Sequence, residues 1–465
     1  MLDDQLRPAA PTALTRSLGV AGVLFLTLSV ATPASSVFVI VPGMFQVAGT
    51  GAVWAMIIAG LVCVATAFIY AELSSAWPVA GGEYVAVART LGPLAGFVML
   101  GVNAFDNLLF LPVAGLGVSE VLAGVVPGLP PRGTAIAVVG ACTLVGLFNI
   151  RVNAVLTGLF LAVEVLALAV VGMLGFGHLS RNPAAFLTAP VVAAAGELRP
   201  ADLASVGLAT TIAIFALNGY GAAVYFGEEM HQAPRRIARA ILIALVATLV
   251  LEGVPVVAAL SGAPDLPPTL GSEDPFGLLV RQWAGPTAAH WLAWGVVLAI
   301  VNAIIAWVLA CARFFYGTAR DGSWGRPLDS WLQAIHPRWG SPWLGTMLIG
   351  VTGMALCFLP LRLLLIWSGA GLIAIYAGIA LAAMVGRHTG ATDGAGYRMP
   401  LYPLAPLLTL AALGYVTWTS WLDPAEGRPA LIATAFQIAG SAAYYWLVLR
   451  RRGWAATLPQ IDQPA

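Results

Sequence analysis

The chain has 465 residues, 60% of them hydrophobic and 9% charged, with mean hydropathy +0.89 and a formal net charge of +1. A soluble domain carries roughly 25% charged residues, so the composition excludes a soluble globular protein, and the near-neutral balance gives no argument for a nucleic-acid partner. All 22 basic residues are arginine, so no lysine ammonium is available as an internal cation.

Residues 1–16 read as a cytoplasmic tail without the order of a signal peptide, so the apolar run that follows is expected to stay. No charge occurs between Arg16 and Glu72, which leaves room for two spans of about 20 residues each. Hydropathy then predicts twelve spans: 17–45, 49–75, 93–124, 133–150, 153–177, 203–229, 235–262, 286–318, 342–360, 363–386, 402–421 and 429–449. They are apolar all round, as lipid-embedded helices are. The 51 glycines and 31 prolines fit membrane helices that pack through small residues. The four cysteines fall inside apolar segments and read as small buried residues, with no disulfide framework or metal set. Twelve crossings put Arg132, Arg181, Arg199, Arg281, Arg362 and Arg428 on one side and the other sixteen arginines on the opposite side. By the positive-inside bias that opposite side is cytoplasmic, with both termini.

The first span contains "VATPASSVFVIVPG" (30–43) and the sixth "ALNGYG" (216–221). Each interruption opens a block of five spans, and the two blocks cross in opposite senses. This is the pattern of an inverted repeat with its binding site between two discontinuous helices. The expected fold is therefore all-α: a first repeat over 17–177, an extracellular linker at 178–202, a second repeat over 203–386, two further helices within 387–449 and a cytoplasmic tail at 450–465. Pro33 has no N–H and clashes with the carbonyl four residues back. The carbonyls near Ala31 and Thr32 then form a partial negative pole, and the amides of Ala34, Ser35, Ser36 and Val37 a positive one. Such a pair suits a zwitterion. In the sixth span Phe215, Ala216 and Leu217 add carbonyls, with Asn218 and Gly219 at the turn. The alternative for either helix alone is a plain kink re-satisfied by Ser and Thr.

Charged and amide residues at mid-depth are the other candidates. Asp106, in "GVNAFDNLLF" beside Asn103 and Asn107, reads either as the holder of a substrate cation or proton or as an anchor between helices. Glu164, mid-span five, reads either as a protonation switch or as a neutral acid bonded to a neighbour. Glu252 and Glu120 are weaker candidates. Tyr220, Trp307 and Tyr376 are aromatics placed where a gate would stand. The acids of "GEEMHQAPRRIAR" (227–239) read as an interfacial segment answered by cytoplasmic arginines, not as a nucleotide or metal site.

Three stretches carry a family likeness: "YAELSSAWPVAGGEYVAVARTLGPLAGFV" (70–98), "FALNGYGAAVYFGEEMHQAPRRIARAI" (215–241) and "RFFYGTARDG" (313–322). In this order the chain resembles the amino acid–polyamine–organocation (APC) permeases over nearly its whole length. The resemblance implies a secondary transporter of amino acids or related amines, working by alternating access in the cytoplasmic membrane. It also implies that Phe215 is the gating aromatic, that 34–37 bind the carboxylate and that 31–32 with 215–217 bind the amine. The chain departs from the family pattern at three places. Ala34-Ser35-Ser36 stands for Gly-Ser-Gly, Gly221 stands where an acid often follows the break, and Glu164 stands near the lysine of many members. The expected coupling ion is a proton, carried by Glu164 or Asp106. Neutral amino acids are the leading substrates, followed by amines and polyamines, and exchange without an ion is the alternative. No cofactor or metal is expected. A membrane enzyme is disfavoured because the five histidines lie near span ends, and a channel because no filter motif repeats. A substrate sensor is the remaining rival.

Overall fold

The computed structural model describes residues 14, 16–126, 128–194, 197–368 and 370–458. The tails expected at 1–16 and 450–465 lie outside the described residues up to residue 13, at residue 15 and from residue 459. A chain this apolar must satisfy its peptide groups internally, and helices do so within each segment. The result is an all-α membrane protein, and each predicted span falls on a helix or a pair of helices. Eight helical stretches among the described residues are long and apolar enough to cross a membrane. One of them, Val20–Ala76, takes in the first two predicted spans. The fourth and ninth segments form shorter helices, Pro131–Gly146 and Trp343–Leu356.

Three local features were not expected. The linker holds a short helix, Ala185–Thr188, and a two-stranded antiparallel hairpin, Val191–Ala194 with Glu197–Pro200. The hairpin packs on the turn after the first span, where Thr50 Oγ1 accepts from the Val191 amide at 2.8 Å. The tenth segment, expected to be continuous over 363–386, is two helices, Leu361–Ser368 and Gly371–Thr389. The small residues around Ser368 and Gly371 allow that break. Between spans two and three the Gly81–Gly82 turn feeds a helix, Glu83–Leu91, which packs against the third span and the Gly371–Thr389 helix.

The eighth helix, Pro286–Arg320, is the axis of the bundle and packs on spans one, three, four and five. One end of the bundle is closed by polar ties. Glu229 takes the guanidinium of the fully buried Arg313, and Glu228 takes Arg320 at 2.7 Å. The amides of Ser17 and Leu18 donate to the Glu229 carbonyl. At the same end Glu72 receives Arg387 through two nitrogens. The segment after the twelfth helix also crosses this end. Trp454 packs edge-on against Phe97, its indole N–H donates to Ser323 at 3.0 Å, and the Thr457 amide donates to Asp321.

Candidate functional site

The first span stops at Ala31, passes through Thr32 in the left-handed region (φ 43°), and restarts at Pro33. Pro33 has no donor for Ser29, and the Ala34 amide donates to Glu164 Oε1 at 2.8 Å instead of to Val30. The Ser29 and Val30 carbonyls therefore lack their usual helical partners, whereas Thr32's accepts from the Ser36 amide at 3.1 Å. The sixth span ends at Ala216 and resumes as a tight 3-10 stretch over Tyr220–Glu229. Gly219 joins the halves at φ 110°, and a Cβ there would run into the backbone of Ala31. Only glycine permits that approach. Ser36 Oγ donates to the Ala216 carbonyl at 2.9 Å, and Tyr376 OH to Asn218 Oδ1 at 2.5 Å. The two interruptions thus face and bond each other inside the bundle.

Between them lies a cavity of about 300 Å³. Its wall includes Ala31, Thr32, Ser35 and Ser36 from the first break and Phe215, Ala216, Asn218 and Gly219 from the sixth. Asn103, Asp106 and Trp307 complete the set of candidates that reach it. Phe215 stands half exposed at the rim. Trp307 is anchored by its N–H on the Asn107 carbonyl at 2.9 Å and lies over Phe110.

The candidates Ala34, Val37, Glu164, Leu217, Tyr220, Glu252 and Tyr376 are not on the wall but buried behind it. On the restarted first helix, 32, 35, 36, 39 and 40 share one face, while 34 and 37, three apart, share the opposite one. Tyr220 turns its ring onto Tyr70 instead. Tyr70, Glu83, Phe110 and Tyr225 line the cavity and were not singled out from sequence. Glu83 is the informative omission. It is an acid placed directly after a Gly-Gly turn at the head of an otherwise apolar segment, a signal that the chain turns back into the bundle.

The acids differ in their surroundings. Glu83 accepts from Tyr70 OH at 3.0 Å and from Asn103 Nδ2 at 3.1 Å. Burial raises its pKa above the ordinary carboxyl value, and these bonds oppose the shift in part. Asp106 is different: neither of its oxygens has a hydrogen-bond partner, and its carboxyl abuts Gly371, the first residue of a helix. Glu164 has one oxygen on the Ala34 amide and the other unpartnered, with Thr32 and Asn302 beside it. Glu252, near Ser36 and Glu164, is fully buried with both oxygens unpartnered. Glu120 is exposed. No group of three or more His, Cys, Asp or Glu able to hold a metal occurs among the described residues.

The profile of a family described as amino acid permease matches residues 18–448. The chain is 25% identical to the methylthioribose transporter of Bacillus subtilis over 423 residues, covering 83% of this chain and 87% of that one. It is 25% identical to the low-affinity putrescine importer PlaP of Escherichia coli over 62% of this chain and 63% of that one. It is 26% identical to the large neutral amino acids transporter small subunit 2 of Oryctolagus cuniculus over 66% and 58%.

Proposed function

Because this chain belongs to the amino acid permease family of the APC superfamily, a family of membrane transporters and not enzymes, we propose that it is a secondary active transporter that moves an amino acid or related small amine across the cytoplasmic membrane by alternating access. The single observation that carries this reading is the cavity between two facing helix interruptions, joined by the Ser36–Ala216 bond and the Gly219–Ala31 contact. Backbone carbonyls freed in an apolar surround are costly unless something polar meets them, and a transported solute is what this cavity admits. The reading takes twelve membrane crossings, two inverted five-helix repeats and two additional helices, with both termini cytoplasmic on the arginine asymmetry. In that orientation the end tied by Glu229–Arg313 and Glu228–Arg320 is cytoplasmic and shut, and the Phe215 rim faces outward.

Coupling is to protons. Glu164 joins the fifth span to the first-span break through one oxygen and leaves the other free for a proton. Asp106 is a second acceptor on the cavity wall. A proton at Glu164 changes the strength of its bond to Ala34, and so links protonation to the geometry of the break.

Reconstituted protein tests this reading. Vesicles loaded with unlabelled substrate are expected to accumulate the labelled solute by saturable counterflow. An acid-outside gradient is expected to speed net uptake in wild type, and Glu164→Gln to keep counterflow but lose the gradient response. Uptake indifferent to the gradient in both proteins contradicts the coupling. Absence of counterflow for every amino acid and amine tried contradicts the transport reading.

A further inference from the structure

The stretch Gly427–Arg452 is long and apolar enough to cross a membrane, and only Ala430, Thr434 and Leu449 are buried in it. It therefore runs along the outside of the bundle, with lipid around most of its circumference. Its end is abrupt. After Leu449 the chain tightens into a 3-10 turn, Arg450–Arg452, in which all three side chains are exposed. Gly453 reverses the chain at φ 66°, and Trp454 buries itself against Phe97 with its amide on the Leu449 carbonyl at 3.2 Å. Three guanidiniums are thus fixed in one turn, at the depth where an apolar helix leaves the hydrocarbon.

These charges are not neutralised from within the protein. Arg313, Arg320 and Arg387, at the same end of the bundle, each sit on a carboxylate. Among the described residues no carboxylate pairs with Arg450, Arg451 or Arg452. The two acids of the adjoining loop are occupied: Asp321 accepts from Tyr84 and Thr457, and Asp329 from the amides of Trp324 and Gly325. Arg452 reaches that loop, where a Cβ on Gly325 would lie 3.3 Å from its Nη1. The next residue, Arg326, is exposed and adds a further positive charge. Arg450 lies over the half-exposed ring of Trp446, 4.2 Å from its centroid. The ring holds this guanidinium back along the helix, on the side that faces lipid. The orientation bias of membrane proteins accounts for basic residues at a span end. It does not account for an aromatic bracket or for a second loop brought against the turn.

We propose that the Arg450–Arg452 turn, with Trp446, is a seat for the phosphate of an anionic phospholipid in the leaflet at this end. The planar guanidiniums supply paired donors to the phosphodiester oxygens. Trp446 and the exposed Leu447 meet the apolar part of the same molecule. A zwitterionic headgroup brings its own ammonium to a turn that is already cationic and gains less. The bound headgroup neutralises the turn from which the Trp454–Thr457 segment sets out, and so steadies that segment on Ser323 and Asp321. The seat is independent of which solute the cavity takes.

Thermal shift on the purified protein in micelles of an uncharged detergent reads binding, and native mass spectrometry counts the lipid carried. The probes are phosphatidylglycerol, phosphatidylcholine and inorganic phosphate. Phosphatidylglycerol is expected to raise the melting temperature about 2 °C or more beyond phosphatidylcholine at equal mole fraction, and high salt to shrink that difference. The triple variant Arg450→Gln/Arg451→Gln/Arg452→Gln is expected to lose the difference, with its lipid-free melting temperature near wild type because all three side chains are exposed. The same loss of charge at Arg235, Arg236 and Arg239, exposed at the start of the seventh span, is expected to keep it. Equal loss in the two triple variants reduces the effect to net charge and overturns the seat. No shift with phosphatidylglycerol, or one matched by phosphatidylcholine or by inorganic phosphate, overturns the anionic headgroup as its occupant. A shift that accompanies a dimer without bound lipid assigns the surface to a second copy and also overturns it. If the triple variant does not fold, Arg451→Gln and Arg452→Gln are each expected to lose part of the difference, and an unchanged shift in both overturns the seat.

Discussion

Gly219 is the residue with least freedom to change in the site. Its φ of 110° is open to glycine, and a methyl group there collides with the Ala31 backbone. Gly219→Ala is therefore expected to cost about 1–3 kcal/mol in strain and to push the two interruptions apart. A lowered melting temperature together with lost counterflow checks it; a variant with wild-type transport contradicts the close approach. Glu83 offers a second residue-scale test. Its folded pKa lies above its unfolded value because of burial, so the protonated form favours the folded state. That contribution is fully present below the unfolded value near 4.5 and is lost as pH rises through the raised folded value. Glu83→Gln is expected to remove this slope, read as the difference between the two proteins' melting temperatures across that pH range. An identical pH dependence in both contradicts it. Asp106 and Glu164 were legible in sequence because charge at mid-depth of an apolar segment is rare. Which atoms they meet was not legible: Ala34 and Glu164 are 130 positions apart, and their bond depends on how two helices rotate.

At the scale of elements, the interruptions in spans one and six were readable from Pro33 and from the Asn-Gly pair at 218–219. The face each residue presents was less so. A regular 3.6-residue period fails at Thr32 and again over Ser36–Ile40, where the helix widens to i→i+5 bonding. The helix restarts at Pro33 with 32, 35, 36, 39 and 40 on the cavity side, which leaves Val37 behind the wall and puts Val39 and Ile40 on it. The break in the tenth segment escaped notice because Gly and Ser are common in membrane helices, and only the fit of Asp106 against Gly371 gives that one a purpose. The Glu229–Arg313 pair ties the end of the sixth span to the eighth with both partners buried. Removing one charge strands the other, at a cost of roughly 3–5 kcal/mol. Arg313→Met is expected to lower the melting temperature strongly, and the double variant Arg313→Met/Glu229→Leu to regain most of the loss. Equal loss in the single and double variants contradicts the account of the pair.

For the whole molecule, one end is held by several independent ties. The ties come from the sixth and eighth spans, from Ser17 and Leu18, and from the Trp454–Thr457 segment. Opening that end is expected to bare Cys311, which is buried on the eighth helix between the cavity residue Trp307 and Arg313. In a variant that keeps only this cysteine, truncation after Arg452 is expected to speed alkylation by a membrane-impermeant maleimide added on the side of that end. An unchanged rate removes the terminal segment from the closing device. The membrane class and the helical segments followed from composition and hydropathy alone. The linker hairpin did not, because it is held against Thr50 across a long sequence separation.

The central claim is that the two interrupted helices together hold the solute. A cryo-electron-microscopy map of the protein, saturated with whichever amino acid or amine gives the largest thermal shift, tests it most directly. The account predicts density bounded by Val30–Thr32 on one side and Ala216–Gly219 on the other. Density at any other place in the bundle, with this cavity unchanged, contradicts it.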